Sequence, residues 1–60
     1  MRTFKCVITD TRHSEPLLSF YMTSDGERAR ELARRALRAN PHHEKIEVRE
    51  GGRVLFVEGR

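Results

Sequence analysis

The chain has one cysteine, two prolines and no tryptophan, and its apolar stretches are short. Its single cysteine, Cys6, excludes an intrachain disulfide framework and a cysteine-rich zinc site. No apolar stretch approaches the roughly 18 residues that cross a membrane. The first residues also lead into no apolar core of a signal peptide. We therefore expect a cytoplasmic protein without membrane contact.

The chain is also short, with 60 residues, which predicts one small α+β domain over residues 1–60. A chain of this length buries only about 60% of its unfolded surface, which leaves no room for a cofactor cleft within one subunit. We expect no cofactor, no small-molecule substrate and no enzymatic activity. Single cores of this size rarely supply more than ~3–5 kcal/mol, which favours association with another chain.

Two strands and a helix are predicted in the first two thirds of the chain. Residues 3–9 and 17–22 are rich in β-formers, and the polar loop between them ends at Pro16. A capping box of Ser24 and Glu27 predicts the start of a helix over residues 25–39. Asn40 and Pro41 then predict its end.

A second hairpin is predicted from residues 45–50 and 53–58, joined by Gly51 and Gly52 as a two-residue turn. Residues 59–60 are expected to fray. The order β-β-α-β-β indicates an α+β fold, with one helix packed on one face of a four-stranded, mainly antiparallel sheet. The sequence does not determine the strand order.

The parity of the second hairpin predicts which side chains share a face. A regular two-residue turn pairs Val48 with Leu55 and Ile46 with Val57. The predicted core facing the helix contains, besides alanines, Phe4, Cys6, Ile8, Leu18, Phe20, Met22, Leu32, Leu37, Ile46, Val48, Leu55 and Val57. The predicted open face carries Leu17 and the candidate interaction residues Lys5, Val7, Tyr21, Arg49, Val54 and Phe56.

Such an open face is too apolar for plain contact with water, and exposed apolar patches usually mark interaction surfaces. We therefore expect a binding module that contacts a protein partner or a second copy of itself, as in a homodimer. Nucleic-acid binding is the alternative. Tyr21 and Phe56, beside Lys5 and Arg49, could stack on bases of a single strand.

The helix offers a second way to bind a polyanion, because arginines cover the side opposite its Ala/Leu stripe. The candidate residues are Arg28, Arg34, Arg35 and Arg38. The net charge is only +3, and Glu31 stands at the spacing of an ordinary helix-stabilising pair with Arg35. A merely solvated helix face explains the same pattern.

The soft metal ligands are Cys6, His13, His42 and His43, and they follow no metal-binding spacing. Adjacent loop histidines do not readily converge on one ion. We expect no metal site.

Overall fold

The computed structural model describes all of residues 1–60, and its elements follow the predicted order. They are β1 (Arg2–Asp10), β2 (Leu17–Thr23), α1 (Gly26–Ala39), β3 (His43–Glu50) and β4 (Arg53–Gly59). The strands form one antiparallel sheet in the order β2-β1-β3-β4, and α1 lies across one face. The predicted α+β fold is confirmed. Each hairpin contributes one central and one edge strand.

The core lies between α1 and the two central strands. Its eight buried apolar residues are Phe4, Cys6, Ile8, Ala29, Ala33, Leu37, Ile46 and Val48. Ala29 and Ala33 are fully buried, so the helix meets the sheet through methyl groups and packs closely against it. The predicted inward side of β1 and β3 is confirmed.

The N-terminus of α1 is capped one residue later than the sequence predicts. Asp25 has an extended backbone and its side chain accepts a hydrogen bond from the backbone N–H of Arg28, at 2.8 Å. The prediction of Ser24 as the cap is therefore wrong. Both Ser24 and Asp25 have side chains suited to an N-cap. Because the helix begins at Gly26, the residue directly before it, Asp25, is the cap.

The C-terminal end of α1 is held by the last residue of the chain. The Arg60 guanidinium donates to the carbonyl oxygens of Leu37 and Asn40, and its Nε donates to that of His43 at 2.7 Å. The prediction that residues 59–60 fray is wrong, because carbonyls left open at the helix end bind this cation. With 14 residues, α1 is too short and too polar to span a membrane.

The β3–β4 hairpin contains the predicted two-residue turn and an unpredicted bulge. Gly51 and Gly52 both have positive φ, +57° and +82°, as a type I′ turn requires. The ladder then shifts: Arg49 pairs with Val54, and Val48 pairs with Phe56. Leu55 is the extra residue of a β-bulge.

That bulge reverses the predicted faces of the two residues that follow it. Phe56 lies on the helix side, because it is paired with the buried Val48, and it packs against the core. Val57 points to the open face and is exposed. The prediction of Phe56 on the open face and Val57 in the core is wrong.

Strand β2 also faces the opposite way from the prediction. Its register with β1 pairs Tyr21 with Phe4 and Leu17 with Ile8, so Tyr21 and Leu17 pack against the core. The alternate residues Leu18, Phe20 and Met22 point to the open face and are 57%, 60% and 69% exposed. Both sides of β2 are apolar, so alternation alone does not choose between them. Pairing with β1 does, and the prediction of Tyr21 on the open face is wrong.

Candidate protein-interaction surface

The face of the sheet opposite α1 carries apolar side chains along both of its edge strands. On β2, the side chains of Leu18, Phe20 and Met22 follow one another along the strand, and we call these three residues the β2 row. On β4, Val54 and Val57 are also about half exposed. Together with Val7 on β1, the β2 row forms the larger apolar area of the open face.

The central strands carry the charges of the open face. Arg49 is paired with Glu47 of the same strand, with Nε and Nη2 lying 2.7 Å and 2.5 Å from Glu47 Oε2. Lys5, which lies opposite Phe20 and Arg49 in the ladder, has no carboxylate within ion-pair distance. A shallow depression of about 310 Å³ lies between Lys5, Phe20, Arg49 and the glycine turn.

Four of the six sheet-face residues predicted from the sequence lie on the open face, and two do not. Lys5, Val7, Arg49 and Val54 share that face through the ladder. The other two, Tyr21 and Phe56, lie on the helix side.

Tyr21 and Phe56, the two aromatic residues predicted on the wrong face, pack against the core. Burial raises the pKa of the Tyr21 phenol. The ring of Phe56 lies beneath α1, with the Arg30 guanidinium 4.9 Å from its centroid, and a Cβ at Gly26 would stand 3.6 Å from its Cε2. Neither ring is presented for base stacking.

The β2 row is the feature that the sequence prediction missed. One signal in the sequence did mark this strand: Leu17–Thr23 contains no charged residue, whereas every other element contains at least two. In a chain rich in Arg and Glu, an edge strand without charged residues indicates a part of the surface that charge does not keep in contact with water.

Glu58 on β4 forms ion pairs with two arginines of α1. Its Oε1 accepts from Arg30 Nε at 2.7 Å and lies 3.3 Å from Arg34 Nε. The hydrogen bond from Arg30 is the main cause that lowers the pKa of the Glu58 carboxyl. These cations fasten α1 to the edge strand β4.

The remaining helix arginines form a smaller cationic area than the sequence suggests. Arg28 Nη1 lies 3.0 Å from Glu31 Oε2. Glu31 therefore pairs with the arginine three residues before it, and not with Arg35 as predicted. Arg35 and Arg38 are exposed and form no ion pair. Of the four predicted polyanion-binding residues, these two alone are unpaired.

A polar cluster closes the end of the sheet where β1 meets β3. The Asp10 carboxylate is fully buried and accepts from Arg12 through its backbone N–H at 2.8 Å and its Nε and Nη2 at 3.1 Å and 2.9 Å. These bonds hold the pKa of Asp10 well below its ordinary value. His43 Nε2 lies 3.3 Å from Asp10 Oδ2, and His43 Nδ1 is buried without a hydrogen-bond partner. The cluster ties the β1–β2 loop to the start of β3.

The histidines and the cysteine do not gather into a metal centre. His42 Nδ1 lies 3.4 Å from Thr11 Oγ1, and Cys6 is buried on β1, where burial raises the pKa of its thiol. No three His, Cys, Asp or Glu side chains are placed to hold a metal ion.

Comparison of the chain with models of protein families, with curated proteins and with solved structures finds no match, so its function has to be inferred from these surfaces.

Proposed function

We propose that this protein is a small, non-enzymatic binding module whose open sheet face contacts another protein. The observation that carries the proposal is the β2 row, three large apolar side chains that follow one another on one strand and are each more than half exposed. Contiguous exposed apolar residues of this kind are typical of protein interfaces. A cytoplasmic location is part of the proposal, since it keeps the Cys6 thiol reduced.

The energetic incentive to cover the β2 row is large compared with the stability of such a small fold. Full burial of a Leu, Phe or Met side chain is worth about 1.5–3 kcal/mol. The three side chains already hide about two fifths of their surface. Covering the rest is worth about 3–5 kcal/mol in total before the cost of ordering. That equals the ~3–5 kcal/mol that a core of this size supplies.

A protein partner fits this face better than a nucleic acid. Binding of single strands on a sheet relies on several stacked aromatic side chains, whereas Phe20 is the one aromatic residue on the open face. The helix side is no better suited. Three of its arginines are engaged by Glu31 and Glu58, which leaves Arg35 and Arg38.

Site-specific photo-crosslinking in cells that express the protein tests the proposal. A photoreactive amino acid replaces Met22 in the β2 row, and a matched variant carries it at Arg35 on the outer face of α1. We expect protein adducts from position 22 and none from position 35. Absence of protein adducts at position 22 overturns the proposal. Nucleic-acid adducts at position 35 would instead support polyanion binding by the helix.

A further inference from the structure

We propose that the protein which covers the β2 row is a second copy of this chain, joined edge to edge through β2. Two four-stranded sheets then form one continuous eight-stranded antiparallel sheet. This inference rests on the proposed function and names its partner.

Strand β2 is an unprotected edge of the sheet. Strand β2 pairs with β1 on one side only, so alternate N–H and C=O groups along its other side have no partner strand. Proteins usually protect such an edge with charges, proline or a bulge. Strand β2 has none of these, and its register with β1 runs unbroken from Thr23 to Leu17.

The opposite edge of the sheet shows what protection looks like. Strand β4 carries Arg53 and Glu58 and is bent by the bulge at Leu55. Its Glu58 is also bound by Arg30 and Arg34 of α1. The edge strand β4 is therefore protected against pairing with another strand, whereas the edge strand β2 is not.

The distribution of charge also favours a second copy as the partner. Two copies of a chain with net charge +3 repel one another. Strand β2 is the one element without a charged residue, so it is where two copies meet with the least repulsion. No acidic patch of another protein is needed to explain a neutral strand.

Strand β2 is also self-complementary about its middle residue, Phe20. When two full strands pair antiparallel about a twofold axis, Phe20 lies opposite Phe20 of the partner subunit. Leu18 then lies opposite Met22 of the partner subunit, and all these side chains stay on the open face. The two β2 rows become neighbours across the axis, with an aromatic pair at the centre.

Sedimentation equilibrium gives the first test. We expect the wild-type chain to show twice its 7.0 kDa monomer mass. Phe20→Lys brings two like charges together at the axis and should return the mass to that of the monomer, whereas Phe20→Leu should keep the dimer. Phe20 is 60% exposed, so both variants should fold, which circular dichroism checks. A wild-type monomer at millimolar concentration overturns the inference.

Disulfide trapping tests the register. Native Cys6 is fully buried and does not compete. Residues directly opposite in antiparallel strands have Cβ atoms about 4.5–5.5 Å apart, close enough for a disulfide after small adjustments. Phe20→Cys should therefore form a covalent dimer on oxidation. Leu18→Cys and Met22→Cys should each form no covalent dimer alone and should cross-link when mixed.

The control for disulfide trapping is Val57→Cys, which is equally exposed but lies on the far edge strand β4. Cross-linking through position 57 and not through position 20 would show packing of two open faces and overturn the edge pairing. Cross-linking of Leu18→Cys with itself would also overturn it. A monomeric chain that still gives adducts from position 22 to a different protein overturns this inference alone. Absence of any protein adduct there overturns the proposed function as well.

Discussion

The phenylalanines of the two paired strands offer a direct test of which way β2 faces. Phe4 on β1 is fully buried, whereas Phe20 on β2 is 60% exposed. Replacing a buried Phe by Ala costs about 3–5 kcal/mol, which is the whole stability expected of a core this small. We expect Phe4→Ala to be largely unfolded.

The matched change at Phe20 should have a much smaller effect on the isolated chain. About two fifths of its surface is buried, and full burial is worth about 1.5–3 kcal/mol, so Phe20→Ala should cost about 0.5–1 kcal/mol. A milder pair keeps both proteins folded and measurable. Phe4→Leu should cost about 1–1.5 kcal/mol and Phe20→Leu less than about 0.5 kcal/mol.

Urea unfolding followed by circular dichroism measures both pairs, with the slope of the free energy against urea checked for constancy. Each variant is measured at a low and at a tenfold higher protein concentration. A contribution of Phe20 to a dimer appears as concentration dependence, whereas its contribution within one chain does not. Equal losses at Phe4 and Phe20 at the low concentration would refute the assignment, because β2 would then present Phe20 to the helix.

Two further predictions concern polar contacts. Asp25→Ala should lower the free energy of unfolding by about 1 kcal/mol, and Ser24→Ala should leave it nearly unchanged; equal losses in urea unfolding would return the cap to Ser24. Asp10 has a depressed pKa in the folded state, so its stabilisation is present above the ordinary aspartate pKa of about 3.9 and is lost as the pH falls below that value. Asp10→Asn should therefore be less stable than wild type at pH 7, with a difference that shrinks on acidification; a difference that is constant with pH would contradict the assigned role of the carboxylate.

The sequence predicts well those features that local chemistry specifies. Gly51 and Gly52 specify their turn because both positions need positive φ. The Ala/Leu stripe and Pro41 specify the helix to within one residue at its start. On β1 and β3, Phe4 and Val48 belong to alternating patterns with one clearly more apolar side, and both lie in the core.

The features that the sequence does not predict depend on contacts between distant residues. The faces of β2 are set by its register with β1, in which Tyr21 lies opposite Phe4. The position of Phe56 is set by a bulge that no residue of β4 announces. The arginines of α1 look like one cationic surface until Glu58, which comes 24 residues after Arg34, is placed beside them.

Because of the bulge at Leu55, the faces of the later β4 residues depend on the number of residues that precede them in the strand. Without Leu55, Val54 would be followed directly by Phe56, and a regular ladder would pair every residue after the turn as the bulged one does. Removing Val57, by contrast, would pair Glu58 with Glu47 and turn this helix-side residue to the open face. At the bulge, therefore, β4 could lose one residue and keep Phe56, Val57 and Glu58 on their present faces.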